Sequence, residues 1–245
     1  MQAPQRRDGK QPRAQGGGGG VTLSRNALLG GGGAIGIVIV AAILFFALSG
    51  GKSSAASVKA TMLAAGCTYQ DIAPKPPHNK TNYHADVPTL KTSMVGLWST
   101  FPPSGGGHFG SWAVWGFYTD PINPREVVHN MEHGAVVLWW GPKTPASTVN
   151  ELHTFYNEPI SGGAGDGMFG TPIEPIGKQT LGSKVAITSW TGDTSRYYRN
   201  GYYGIGHIAV CPTFNEHAFK VFRDAYRGKG PEGIPLSSDE PGMGP

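Results

Sequence analysis

Charge is scarce in this chain. Only 15% of its 245 residues are Asp, Glu, Lys or Arg, which excludes a long coiled coil, whose flanking positions must be charged along its length. Cysteine is scarcer still, with Cys67 and Cys211 alone. Two cysteines so far apart exclude a CxxC redox motif and a cysteine-built zinc site. The turn Gly105–Gly107 is followed by no GK[ST], so there is no P-loop. Ser104 is not framed by the G-x-S-x-G of a nucleophile elbow. No internal repeat is present. Glycine (38) and proline (20) are plentiful, so parts of the chain are expected to be unpacked. The aromatics (Trp 6, Tyr 9, Phe 10) exclude disorder throughout.

The net charge of +4 sits in one place. Residues 1–26 hold five basic residues against Asp8, and the remainder is balanced at 15 basic and 15 acidic. A nucleic-acid-binding domain would concentrate positive charge on its folded part, so no nucleic-acid partner is expected. Residues 27–49 hold no charged residue at all. As a helix these 23 residues would span about 35 Å, enough to cross a bilayer. The run exceeds the 7–15 residues usual for a cleaved signal peptide. The basic arm before it places the N-terminus in the cytoplasm and the rest outside, at the cell membrane. The expected layout is a basic Gly-rich cytoplasmic tail (1–26), a transmembrane helix (27–49), a linker (50–61), an exported domain (62–227) and a disordered tail (228–245). A disulfide is permitted in such an exported domain. Cys67 to Cys211 would close a loop spanning nearly all of it.

The exported part reads as α+β. Helices are expected over Val58–Ala65, Ser147–Asn157 and Asn215–Tyr226, the last with Asn215 as its N-cap and an apolar stripe through Phe219, Phe222 and Tyr226. Strands are expected over Ser111–Tyr118, Ala135–Trp140 and Lys184–Trp190. The second, AVVLWW, is apolar throughout, as a strand buried on both faces is. Residues 71–93 read as irregular and residues 159–177 as a long loop.

Six of the eight histidines fall between 78 and 153. The dense part is His108 after its Gly-rich turn, then His129-Asn130-Met131-Glu132-His133-Gly134. On a helix over Arg125–His133, His129 and His133 lie at i, i+4 on one face, about 6 Å apart at Cβ, a two-imidazole chelate. If the segment is extended they are roughly 13 Å apart and the chelate is lost. His108 is the candidate third ligand, His84 a fourth, and Glu132 is at hand. Imidazole with carboxylate suits zinc and imidazole with thioether suits copper. Glu132 and Met131 are both present, so both metals stay open, although Met131 would be on the wrong helix face. The competing reading is that these histidines bond to backbone in an aromatic core, as His153, His207 and His217 are expected to do. The letters H-x-x-E-H also spell the inverted zinc-protease signature, with Glu132 as base and Glu216 as the available downstream ligand. Trp98, Trp112, Trp115, Trp139 and Trp140 read as core and strand-face residues.

At PPSGGGH (102–108), WAVWGFY (112–118) and VHNMEHG (128–134) the chain resembles a bacterial family called domain of unknown function 3105. Its pattern runs PP-x-SG-x-H, W-x-x-x-G-x-Y and V-H-x-[LM]-EHG before an apolar strand, with a further upstream histidine matched by His84. One extra Gly before His108 departs from it. The resemblance implies a basic arm, one membrane helix and an outer domain, and it marks the same histidines. It implies no reaction. The expectation is thus a single-pass protein whose exported α+β domain binds zinc or copper. The alternative is a non-catalytic cell-envelope interaction module with a structural histidine cluster, and the third choice is a zinc peptidase. A protein partner is allowed and unspecified.

Overall fold

A computed structural model describes residues 54–74, 89–163, 165–192 and 204–236. The basic arm, the apolar run 27–49, His84 and the chain after 236 lie outside the described residues. Among the described residues no helix is long and apolar enough to cross a membrane.

The fold is a small mixed α+β domain. In chain order it has α1 (Ala55–Ala64), β1 (Thr68–Ile72), α2 (Pro124–Glu132), β2 (Val136–Trp140), α3 (Ala146–Tyr156), β3 (Met168–Pro172), β4 (Val185–Thr191), β5 (Ile205–Cys211) and α4 (Glu216–Tyr226). The strands form one sheet in the order β1-β5-β4-β2-β3. All neighbours are antiparallel except β2 and β3. That parallel pair needs a crossover, which α3 supplies.

Every residue of β2 is buried, because it divides two cores. Val136, Leu138 and Trp140 face α1, α3 and α4, where Met62, Leu152, Phe155, Phe219 and Phe222 pack. Val137 and Trp139 face the other side, where Val127, Val128 and Met131 of α2 join Trp98, Phe169 and Trp190. This explains why β2 reads as a continuous apolar run. Cys67 and Cys211 form a disulfide with a sequence separation of 144. The β1–β5 register, which pairs Thr68 with Val210, brings Cys67 opposite Cys211.

Several boundaries differ from the sequence reading. α1 starts at Ala55, inside the expected linker 50–61, because the Ser54 hydroxyl accepts from the Ser57 N–H and caps it. No strand forms over Ser111–Tyr118. Glycines 110 and 116 interrupt it, and Ala113 spends both backbone groups on the Asn130 side chain, at 3.0 and 2.9 Å. A single bridge, Phe117 to Gly170, remains. The expected loop 159–177 contains β3, and the expected irregular stretch 71–93 begins with the end of β1. β5 was not expected; its sequence IGHIAVC lacks clean alternation. Residues 228–236, expected as disordered tail, instead form a strap packed on α2, with Gly230 and Pro231 buried.

Candidate metal centre

The site is built on α2. Asn123 caps the helix by accepting from the Arg125 N–H at 3.1 Å, and Pro124 opens it, both favourable choices at those positions. Gly134, at φ +103°, ends it, since that backbone region admits glycine readily. The helix therefore holds His129 and His133 on one face, and their Nε2 atoms lie 3.1 Å apart. Ligand atoms of His129, Glu132 and His133 all lie within 4.8 Å of one another. Two ligands on one zinc stand about 3.3 Å apart when tetrahedral and at most roughly 4 Å. Closing the widest pair of this trio to tetrahedral spacing takes a contraction of up to about 1.5 Å.

His108 comes from the loop that runs beside α2. Its Nε2 lies 2.9 Å from Glu132 Oε2, and neither side chain is more than 1% exposed. The extra glycine before it does not keep it from the helix. Its ring meets that of His129 at 5.0 Å between centroids. The loop is held by the bond from the Phe109 N–H to the Arg125 carbonyl, 3.1 Å, by the Arg125 cation over the Phe109 ring, and by an Arg125 guanidinium bond to the Thr92 carbonyl. The Trp112 ring lies against both His129 and His133, at 5.3 and 5.0 Å, and Trp190 lies against His108 at 5.9 Å. Of the tryptophans expected in the core, Trp112 walls the histidines, and Trp190, outside that set, joins it.

The proton positions follow from the backbone. His108 Nδ1 is 2.7 Å from the Gly106 carbonyl, and His129 Nδ1 is 2.7 Å from the Phe109 carbonyl. A carbonyl oxygen only accepts, so each Nδ1 carries the hydrogen, and in the neutral ring the Nε2 lone pair points inward. Second-shell carbonyls hold metal-binding imidazoles in this way. An ionised carboxylate also only accepts. His108 Nε2 and Glu132 Oε2 lie 2.9 Å apart, so with the carboxylate ionised either a proton or a metal ion lies between them. His133 Nε2 faces both His129 Nε2 at 3.1 Å and Glu232 Oε2 at 3.2 Å. A single hydrogen there serves both only as a shared, three-centre bond. Burial pushes the His129 imidazole down to about 4, with help from the neighbouring His108 and His133 and against Glu132 and the Phe109 carbonyl. The ring is neutral, and thus ligand-ready, at physiological pH.

The comparison with known families now adds one finding. Residues 97–237 match the family model described as a protein of unknown function, DUF3105, which is more than half of the chain. The chain belongs to the DUF3105 family. No curated protein and no solved structure matches it. The DUF3105 match spans α2, the His108 loop and the whole strap.

The expected residues fare unequally. His108, His129, Glu132 and His133 converge, and His84 lies outside the described residues. Met131 points to the sheet, where its sulfur accepts from the Thr188 hydroxyl at 3.3 Å, so it does not join the site. Glu216 opens α4 and lines a cleft with Ser147, Glu151 and Phe214. That is the opposite face of the sheet, so the downstream ligand of the peptidase reading is not brought to the histidines. Glu232 was missed. It sits in PEGIP, where the turn-forming residues mask a structured segment.

His153 and His217 are exposed, while His207 is buried and bonds to side chains, not to backbone as expected. Its Nδ1 donates to Asp71 at 2.6 Å, and its Nε2 meets the Thr191 hydroxyl at 2.7 Å. It stacks on Tyr226 at 3.8 Å.

Proposed function

We propose that this DUF3105 protein is a membrane-anchored, extracytoplasmic domain that binds one divalent transition metal through His129, His133 and Glu132, with His108 completing the set. The observation that carries this reading is the inward aim of two imidazole lone pairs, each fixed by a backbone carbonyl on Nδ1, beside a buried carboxylate. Imidazole and carboxylate donors favour zinc. The removal of the Met131 sulfur to the sheet side takes away the thioether argument for copper. The role is binding rather than peptide hydrolysis. Glu132 is 0% exposed and His133 4%, which leaves no open groove for a peptide at the carboxylate that would act as base. Anchoring rests on the uncharged run 27–49 behind its basic arm, and export is supported by the disulfide.

Elemental analysis of the full chain, purified in detergent without a His tag or chelator, tests this. About one zinc per chain is expected, with none in a folded His129→Ala, His133→Ala double variant. Copper in its place would keep the site and change the metal. No metal after challenge with both ions would end the reading and leave the interaction module.

A further inference from the structure

We infer that Glu232 is a further ligand of this metal, delivered by the strap 228–236, so that capturing the ion and docking the strap are one event. The inference rests on the metal reading above.

The strap's path is fixed at its root and along one side. Arg227 Nη1 bonds to Asp166 Oδ2 at 2.7 Å, just before the strap leaves α4. The Gly228 N–H then donates to the Gly134 carbonyl at 2.9 Å, and the Glu232 N–H donates to the Glu132 carbonyl at 3.4 Å. Between these bonds, Gly230 lies against the helix end so closely that a Cβ there would stand 2.2 Å from the Glu132 oxygen. The strap thus lies backbone to backbone on the turn that carries His133. This is what brings Glu232 Oε2 to 3.2 Å from His133 Nε2.

The position of Glu232 in the cluster is distinctive. Its side chain is 23% exposed, against 5% for His133 and 0–1% for His108 and Glu132. It is therefore the donor on the solvent side, standing between a bound ion and bulk water. Its charge gives the coupling its sign. Docked without an ion, the Glu232 carboxylate approaches a buried group that already holds Glu132, and like charges repel in such a low-dielectric setting. A divalent cation reverses that repulsion. The strap is anchored by its two backbone bonds to Gly134 and Glu132 and by buried Gly230 and Pro231, whereas residues 232–236 are all exposed or only half-buried, so the part that carries Glu232 is the more weakly held. The ion would favour the docked strap, and the docked strap would retain the ion, to the same extent.

The test uses the full chain in detergent micelles loaded with zinc. Release to an excess of a colorimetric chelator is followed by stopped flow, and trypsin cleavage after Lys229 is followed with and without zinc. Glu232→Gln should bind zinc yet release it 10–100-fold faster, the range for losing a supporting interaction. Zinc should protect Lys229 in the parent chain but not in this variant. Gly230→Ala keeps the carboxylate but lifts the strap, and it should speed release as well. A Glu232→Gln chain that releases zinc at the parental rate, with Lys229 cut equally with and without zinc, would overturn the strap inference and leave the metal site standing. A parent chain that takes up no zinc would overturn both.

Discussion

Two buried histidine networks lie on opposite faces of one sheet, and they differ in a single respect. At His207 the partners balance. Asp71 accepts from Nδ1, and Thr191 donates to Nε2. Around His129 the facing groups are imidazoles and a carboxylate. Both fixed rings present lone pairs to a carboxylate and to a third imidazole. Burial alone cannot tell the two apart, because His207 and His129 are 5% and 3% exposed. Burial pushes the imidazole downward in both, against the pull of Asp71 in the first and of Glu132 in the second. What separates a core histidine from a candidate ligand is the chemistry that faces it: a carboxylate and a hydroxyl at His207, further imidazoles beside a carboxylate at His129.

That contrast breaks if zinc fails to distinguish the two networks. Zinc at 1,000 times its dissociation constant should stabilise the parent chain by about 4 kcal/mol. Thermal unfolding with and without zinc should show this gain in a His207→Ala chain and lose it in the His129→Ala, His133→Ala chain. A gain that survives loss of the His129 pair would place the metal elsewhere.

The next effect is in pH. His129 has a folded value of about 4 against an ordinary value near 6.5, so the unfolded chain binds more protons between them. Stability of the metal-free domain is therefore complete above about 6.5 and falls as pH drops toward 4, by about 3 kcal/mol from this one group. Zinc should steepen the fall, because its ligands must stay deprotonated. His207 contributes with the same sign, and its share should not respond to zinc. Urea unfolding across this range, in the parent and in His207→Ala, separates the two shares.

Replacing His207 by Ala leaves Asp71 and Thr191 without their shared partner and should cost about 1–3 kcal/mol, equally with zinc or with chelator. The smallest change is Thr191→Val, which removes only the hydroxyl facing Nε2. It should cost about 1 kcal/mol and leave zinc stoichiometry untouched. A loss of zinc in either variant would join two networks that the sheet keeps apart.

The residues made part of this legible in advance. VVHNMEHG carries both the chelate spacing and its stop, and α2 with Gly134 realises both. AVVLWW announces a two-faced strand and becomes β2. Asn215 announces the start of α4, where its side chain accepts from the Ala218 N–H at 3.0 Å. What failed to show was long-range pairing of weakly patterned segments. β3 reads MFGTP, with a glycine and a proline in five residues, and it becomes a strand only because β2 lies beside it. Ser111–Tyr118 has strand composition, yet it meets the Asn130 side chain instead of a neighbouring strand. Glu232 was hidden for a related reason. The glycines around it look like disorder, but at Gly230 the missing side chain is what lets two backbones touch.

The disulfide also decides how the domain would bear a mechanical load. Tension on the N-terminal side of the chain enters through α1 and arrives at Cys67, at the head of the edge strand β1. Without the cross-link, that pull would peel β1 from β5 one hydrogen-bonded pair at a time, beginning at Thr68 and Val210. With Cys67 bonded to Cys211, the force passes directly into β5, which has a strand on each side. Separation would then have to begin at Cys211 and Val185, in a strand paired along both edges, instead of at the edge strand.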